Sequence, residues 1–347
     1  MTGDTPLTTG TGESVPAGGD TIPRPSWKPL AGAVTGWIAA FSAALHFGGA
    51  LPAWSQTTAL FFTASLLVAL AICFVAAGTR LSWHRSTYLA AGAIGLALVV
   101  LCAKPLVLRG RVINAAAAVP GEVLFVSAAH AMLPVAAASD GLVHARNAVY
   151  EAVSEHVEDT WPEPPSGILA LGLAQLLLAA GIGLWIGSGI DEKAHLIPIA
   201  VIATCADIWS VSAGATAVII RSEQIHYFLL RFPILGGPRP AMPFLIGLTD
   251  FLFFGIFYQA ALRFGLGERR NILLLAASFL IAVSSALLAG VGLPVLPFMG
   301  LLFTAGNWKN LQLKREDLKQ MLLFLAGVLI VFVATTKLIP LLRSNAG

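Results

Sequence analysis

Long apolar runs are the feature that most restricts what this chain can fold into. About nine stretches are apolar over roughly 20 residues, the length at which a helix crosses the hydrocarbon core of a bilayer. They lie near residues 30–52, 57–78, 87–107, 167–188, 194–220, 241–265, 271–291, 293–308 and 320–342. Only 11% of the residues are charged, against about 25% in an ordinary soluble domain. The sequence therefore predicts an all-α integral membrane protein, a polytopic bundle of about nine spans.

One further segment leaves the number of spans open. Residues 112–138 are apolar, but Pro120, Glu122, His130 and Pro134 interrupt them. The segment can form a tenth span, a re-entrant piece or an interfacial helix. With nine spans, the distribution of Lys and Arg favours a cytoplasmic N-terminus, and with ten that excess disappears. The topology is therefore not predicted.

Polar segments divide the chain into four parts. Residues 1–28 are rich in Gly, Thr, Pro and Ser, which predicts a disordered tail. Residues 29–193 hold the first spans and an amphipathic extramembrane segment around 140–165. Residues 194–310 form a core whose spans contain ionisable groups. Residues 311–347 comprise a charged linker and an additional C-terminal span.

Two aspartates, Asp207 and Asp250, lie inside the apolar runs of this core. An ionisable group in mid-span costs a few kcal/mol, so such residues usually serve a function. At about 1.5 Å per residue, Asp207 and Asp250 lie about 20 and 14 Å from the loop that joins their helices, so adjacent antiparallel helices can bring the two acids face to face. Aspartic proteases use two close carboxylates that share a proton, one activating water and one donating to the scissile carbonyl. Proton relays, ion sites and structural hydrogen bonds also use such acids, so the residues alone leave these roles open.

Three segments of the core resemble a known family when they are taken in order. ADIWSVSAGATAVI, around Asp207, is similar to the YD segment of presenilin and signal peptide peptidase, and GLTDFLFFGIFYQAALRF resembles their GxGD helix. GLPVLPF, one span later, resembles the PALP motif. Taken in this order, the three segments span roughly residues 194–310. We identify the chain by resemblance as a divergent, prokaryotic member of the GxGD intramembrane aspartyl proteases, with a presenilin-like fold.

The resemblance implies an enzyme that hydrolyses peptide bonds within transmembrane segments of membrane proteins or signal peptides. Asp207 and Asp250 would be the catalytic pair, and no metal or cofactor would be needed. The implied substrate-binding residues are Gly247, Leu248, Thr249, Pro294, Val295, Leu296 and Pro297. The alternatives are a proton- or cation-coupled transporter that uses the two acids, and an inactive relative that binds membrane helices.

The resemblance also implies that the chain is a multi-pass protein of the prokaryotic cell membrane. Its partners would be transmembrane-helix substrates and the lipid bilayer. The net charge of +3 is not gathered into a basic block, so no nucleic-acid partner is expected. The sequence predicts neither an oligomeric state nor an accessory subunit.

The sequence departs from the family pattern at three places. Ala206 replaces the aromatic residue before the first acid, and Thr249 stands where the motif has Gly. A β-branched side chain at Thr249 takes up room beside the second acid. The proline-containing span is normally the last, whereas here the span at 320–342 follows it.

Polar residues elsewhere in the spans carry structural predictions. Gln175 and Asn307 are expected to form hydrogen bonds between helices. Residues 221–244, rich in Pro and Gly, are expected to form a loop between the two helices that carry the acids.

Overall fold

The described part of the chain is mostly helical. The computed structural model describes residues 26–47, 53–81, 84–118, 165–212, 224–232, 244–288 and 293–311, with isolated residues elsewhere. The helices are α1 Lys28–Phe47, α2 Ala53–Thr79, α3 Arg85–Ala118, α4 Pro165–Ser188, α5 Leu196–Ser212, α6 Ile225–Phe228, α7 Leu248–Arg263, α8 Glu268–Leu288 and α9 Val295–Asn307. A 3₁₀ turn, Lys193–His195, precedes α5, and two strands, β1 Leu229–Phe232 and β2 Phe244–Gly247, precede α7.

Four helices in these ranges are long and apolar enough to cross a membrane, which indicates a membrane protein. They are Leu60–Thr79, Arg85–Arg111, Ser166–Ser188 and Glu268–Leu287. These four coincide with the runs predicted near 57–78, 87–107, 167–188 and 271–291. The remaining predicted runs give shorter helices or lie partly or wholly outside the described residues. The predicted tail, the amphipathic segment and the C-terminal span fall almost entirely outside the described residues.

Helix α4 is the centre of the packing, because it contacts α3 on one side and α7 on the other. Glycines allow the close approach to α7. A Cβ on Gly187 would lie 2.7 Å from the carbonyl oxygen of Ile256, and Gly183 faces the backbone of Leu252 and Gly255. Small residues at this four-residue spacing let helix backbones approach in membrane proteins. The helix that carries Asp250 is therefore held directly against α4.

An aromatic face on α7 packs against the next two helices. Phe251 stacks on Phe279 of α8, with ring centroids 4.9 Å apart. Phe257 lies 4.8 Å from Phe303 of α9, measured between ring centroids. Aromatic pairs at these distances stabilise a core beyond their buried area. The contacts fix α7 relative to both α8 and α9.

A glycine turn joins α7 to α8. Gly265 has φ +63°, a left-handed conformation that favours glycine. The N–H of Leu266 donates to Ala261 O at 2.9 Å, and the N–H of Gly265 donates to Leu262 O at 3.2 Å. This pattern is a Schellman cap, and it explains why α7 ends at Arg263.

The segment before α7 differs from the sequence prediction. The run at 241–265 is predicted as one helical span, but residues 244–247 form strand β2 and the helix begins at Leu248. Within 221–244, predicted as a loop, residues 225–232 form α6 and β1. The strands pair antiparallel, with Leu229 opposite Gly247. Pro240 and Pro243 disfavour helix in the residues before them, and pairing with β1 holds residues 244–247 extended, so the helix starts only at Leu248.

Candidate functional site

Asp207 lies on α5, which packs mainly against α9 in the described residues. A glycine makes this contact close. A Cβ on Gly300 would lie 3.0 Å from Thr204 Oγ1 and 3.2 Å from the carbonyl oxygen of Ala200. These two residues precede Asp207 by about one and two helical turns. The packing therefore brings the start of α9 to the level of Asp207.

The proline motif at the start of α9 contacts Asp207 directly. Pro294 is the N-cap, in an extended conformation with φ −64° and ψ 140°, and α9 begins at Val295. The N–H of Leu296 donates to Asp207 Oδ2 at 3.2 Å. The first N–H groups of a helix have no intrahelical acceptor, so they are available to an acid. Pro297 has no N–H, which restricts the available donors of this turn.

Asp250 lies in the first turn of α7 and is 7% exposed. The backbone N–H of Gly247, the N-cap of α7, donates to its carboxylate. An acidic side chain that reaches back from the third helical residue to the N-cap amide is one half of a capping box. The carboxylate is therefore fixed to the last residue of β2.

The two carboxylates lie close enough for Asp207 to interact electrostatically with Asp250. Asp207 is about 17 Å from the Leu196 end of α5, and Asp250 about 20 Å from the Arg263 end of α7, at about 1.5 Å per residue. Both helix ends lie at one end of the bundle, because Arg263 contacts Asp191, just before α5. The structure thus brings the two predicted catalytic residues together at one level.

The predicted substrate-binding residues lie at the starts of α7 and α9 and differ in exposure. Thr249 is exposed, Val295 and Leu296 are buried, and the others are half-buried: Gly247, Leu248, Pro294 and Pro297. A Cβ on Gly247 would lie 3.0 Å from Asp250 Oδ2 and 3.3 Å from Thr249 Oγ1. The Thr249 side chain therefore stands at the exposed side of the buried acid.

The arrangement has the parts that acid–base hydrolysis requires. Two carboxylates that interact can hold one proton between them, so one can accept a proton from water while the other donates one. The N-termini of α7 and α9 both point at the acids, and helix N-termini stabilise negative charge. Among the described residues, no group of three or more His, Cys, Asp or Glu side chains is placed to hold a metal ion.

The predicted interhelical hydrogen bonds of Gln175 and Asn307 are confirmed. Gln175 Nε2 donates to the carbonyl oxygens of His226 and Leu229, which join α4 to α6 and β1. Asn307 Nδ2 donates to Asn271 Oδ1 at 2.6 Å, and Arg270 donates to Asn307 Oδ1 at 2.6 Å. The Asn307 bonds tie α9 to α8 at the end of the bundle away from the acids.

The residues that hold α7 in place are not among those predicted from the sequence. The signal that identifies them is GLWIG at 183–187, two glycines four residues apart within an apolar run. The strand β1 was also missed, since its LLRF sequence is too short to separate from a helix by periodicity.

Comparisons with protein-family models, with curated proteins and with solved structures found no match to this chain. The resemblance of the three motifs to the presenilin and signal peptide peptidase family therefore stays a prediction.

Proposed function

We propose that this protein is an intramembrane aspartyl protease of the presenilin and signal peptide peptidase type. It would be a multi-pass protein of the prokaryotic cell membrane with about nine spans. The observation that carries the proposal is the meeting of Asp207, Asp250 and the proline motif at one level of the bundle. These three features lie far apart in sequence, and each belongs to a motif that the family resemblance selects.

The proposed reaction is hydrolysis of a peptide bond by the two acids. One carboxylate takes a proton from a water molecule, which attacks the scissile carbonyl carbon. The other, in its protonated form, donates to the carbonyl oxygen. The symmetry of a shared proton leaves the two roles exchangeable between Asp207 and Asp250.

The extended backbone beside the acids supports a peptide substrate over an ion. A helical substrate shields its peptide bonds, so it must unwind before water can attack. An extended segment can be held by backbone hydrogen bonds to a neighbouring strand or an unwound segment. Strand β2 ends two residues before Thr249, and Pro294 is extended beside Asp207. Both offer main-chain groups next to Asp207 and Asp250, the proposed catalytic dyad.

The test is cleavage of a synthetic transmembrane peptide by the purified protein in detergent, with products identified by mass spectrometry. Asp207→Asn and Asp250→Asn keep the side-chain shape and remove the ionisable group, so each should reduce cleavage to background. Asp191→Asn is the matched control, because its side chain is 83% exposed and forms an ion pair with Arg263, away from the two acids. Cleavage that survives either dyad change would refute the mechanism. Proton or cation flux in liposomes without cleavage would favour a transporter.

A further inference from the structure

One buried amide holds the hairpin that precedes the second acid. Gln175, near the middle of α4, is 1% exposed. Its Nε2 donates to His226 O at 2.9 Å and to Leu229 O at 3.1 Å. Leu229 is both the C-cap of α6 and the first residue of β1. The amide therefore uses its two hydrogens to fix the point where the chain changes from helix to strand.

This point is connected to Asp250 by two further contacts. Leu229 lies opposite Gly247 in the antiparallel ladder, and opposing Cα atoms in such a ladder are about 4.5–5.5 Å apart. The N–H of Gly247 in turn donates to the Asp250 carboxylate. Gln175, the Leu229–Gly247 pair and Asp250 thus form a continuous series of contacts.

Two apolar side chains of β1 also pack into the core. Phe232 packs edge-on against Trp37 of α1, with ring centroids 5.7 Å apart, and Leu230 is fully buried. Apolar packing is non-directional, so it tolerates small shifts of the strand along α4. The two hydrogen bonds of Gln175 are directional, and they set the position of β1 along that helix.

We infer that Gln175 is a positioning residue for Asp250, acting through the β1–β2 hairpin. The inference rests on the proposed protease function and extends its site to α4. Loss of the amide leaves two carbonyls without their donor, and the strand is then free to shift. A misplacement of about 1 Å can reduce a reaction rate about a hundredfold. Because Asp250 acts in the chemical step, kcat should fall about tenfold to a hundredfold while KM changes little.

The experiment compares Gln175→Met with Gln259→Met in the full-length protein. The substitution is the same, but Gln259 lies on α7, and its side-chain oxygen has no hydrogen-bond partner among the described residues. Cleavage of a synthetic transmembrane peptide gives kcat and KM, and hydrogen–deuterium exchange is followed over 225–232 and 244–250. For Gln175→Met we expect faster exchange in both segments and a lower kcat. For Gln259→Met we expect wild-type values of both.

A second substitution keeps the inference testable if Gln175→Met does not fold. Gln175→Glu in its protonated form regains one of the two donors, so its kcat and exchange should lie between those of the wild type and Gln175→Met. Wild-type exchange over 244–250 in both Gln175 variants overturns the inference. So does faster exchange spread equally over α8 and α9, which would indicate general destabilisation. If the wild type cleaves no peptide, the proposed function is refuted, and so is the catalytic role of Gln175. If the wild type cleaves but the Gln175 variants keep its kcat, only the inference about Gln175 is refuted.

Discussion

Replacing Gly247 by alanine should displace the Asp250 carboxylate without lowering the stability of the fold. The added Cβ would lie 3.0 Å from Asp250 Oδ2 and 3.3 Å from Thr249 Oγ1, distances at which the neighbours must move by a few tenths of an ångström. The backbone itself accepts alanine, since Gly247 has φ −62° and ψ 134°. Within the described residues, the atoms nearest to the added Cβ belong to Thr249 and Asp250 in the first turn of α7.

The size of the effect follows from this displacement. A misplacement of about 1 Å in a reacting group can cost about a hundredfold in rate, so a shift of a few tenths of an ångström should lower kcat about threefold to tenfold. That range corresponds to about 0.7–1.4 kcal/mol in activation free energy. Stability should not fall with it, because alanine restricts the unfolded chain and can add about 0.4–1 kcal/mol where the native backbone permits it.

The assay pairs cleavage of a transmembrane peptide with thermal unfolding in the same detergent. Gly32→Ala is the control, because no atom of the described residues outside its own stretch of helix backbone lies within 4 Å of its added Cβ. We expect both variants to unfold at or above the wild-type temperature and only Gly247→Ala to lose activity. A Gly247→Ala enzyme within twofold of the wild-type rate would refute the reasoning that the carboxylate is held against the α-carbon of Gly247.

Two further predictions concern the helices that support the site. Gly187→Val places side-chain atoms against the carbonyl of Ile256, so it should destabilise the protein by about 1–3 kcal/mol relative to Gly32→Val. Thermal unfolding measures the difference, and equal unfolding temperatures of the two variants would contradict the close α4–α7 contact. Asn307→Leu removes the partner of Asn271 and Arg270 and should cost about 1–3 kcal/mol, measured against the exposed Asn310→Leu. An Asn307 variant as stable as the Asn310 variant would show that the two asparagines do not stabilise the helix pair.

The sequence predicted the helices whose apolar runs are long and uninterrupted, and it missed the elements set by tertiary contacts. The runs near 57–78, 87–107, 167–188 and 271–291 are helices because a long apolar segment has no better way to satisfy its backbone in lipid. The strand β2 could not be predicted, since Phe-Leu-Ile-Gly is as apolar as the helix that follows it. Its conformation depends on pairing with β1, about 15 residues earlier in the chain.

The sequence predicts the residues of the candidate site but not the contacts between them. The spacing of Asp207 and Asp250 within their runs indicated similar depth, and the structure places them within electrostatic range. The bond from the Leu296 amide to Asp207 depends on how closely α9 approaches α5 at Gly300. Such an approach is a property of two helix surfaces together, and neither segment reveals it alone.

The short length of the helices that begin at the acids affects the membrane around them. Helices α7 and α9 have 16 and 13 residues, about 24 and 20 Å, against about 30 Å for the hydrocarbon core. A bilayer adjusts to such a hydrophobic mismatch by thinning locally. Thinning on the side where both helices start would bring the aqueous phase closer to the carboxylates. The lipid itself would then shorten the route by which a hydrolytic water reaches a reaction buried in a membrane.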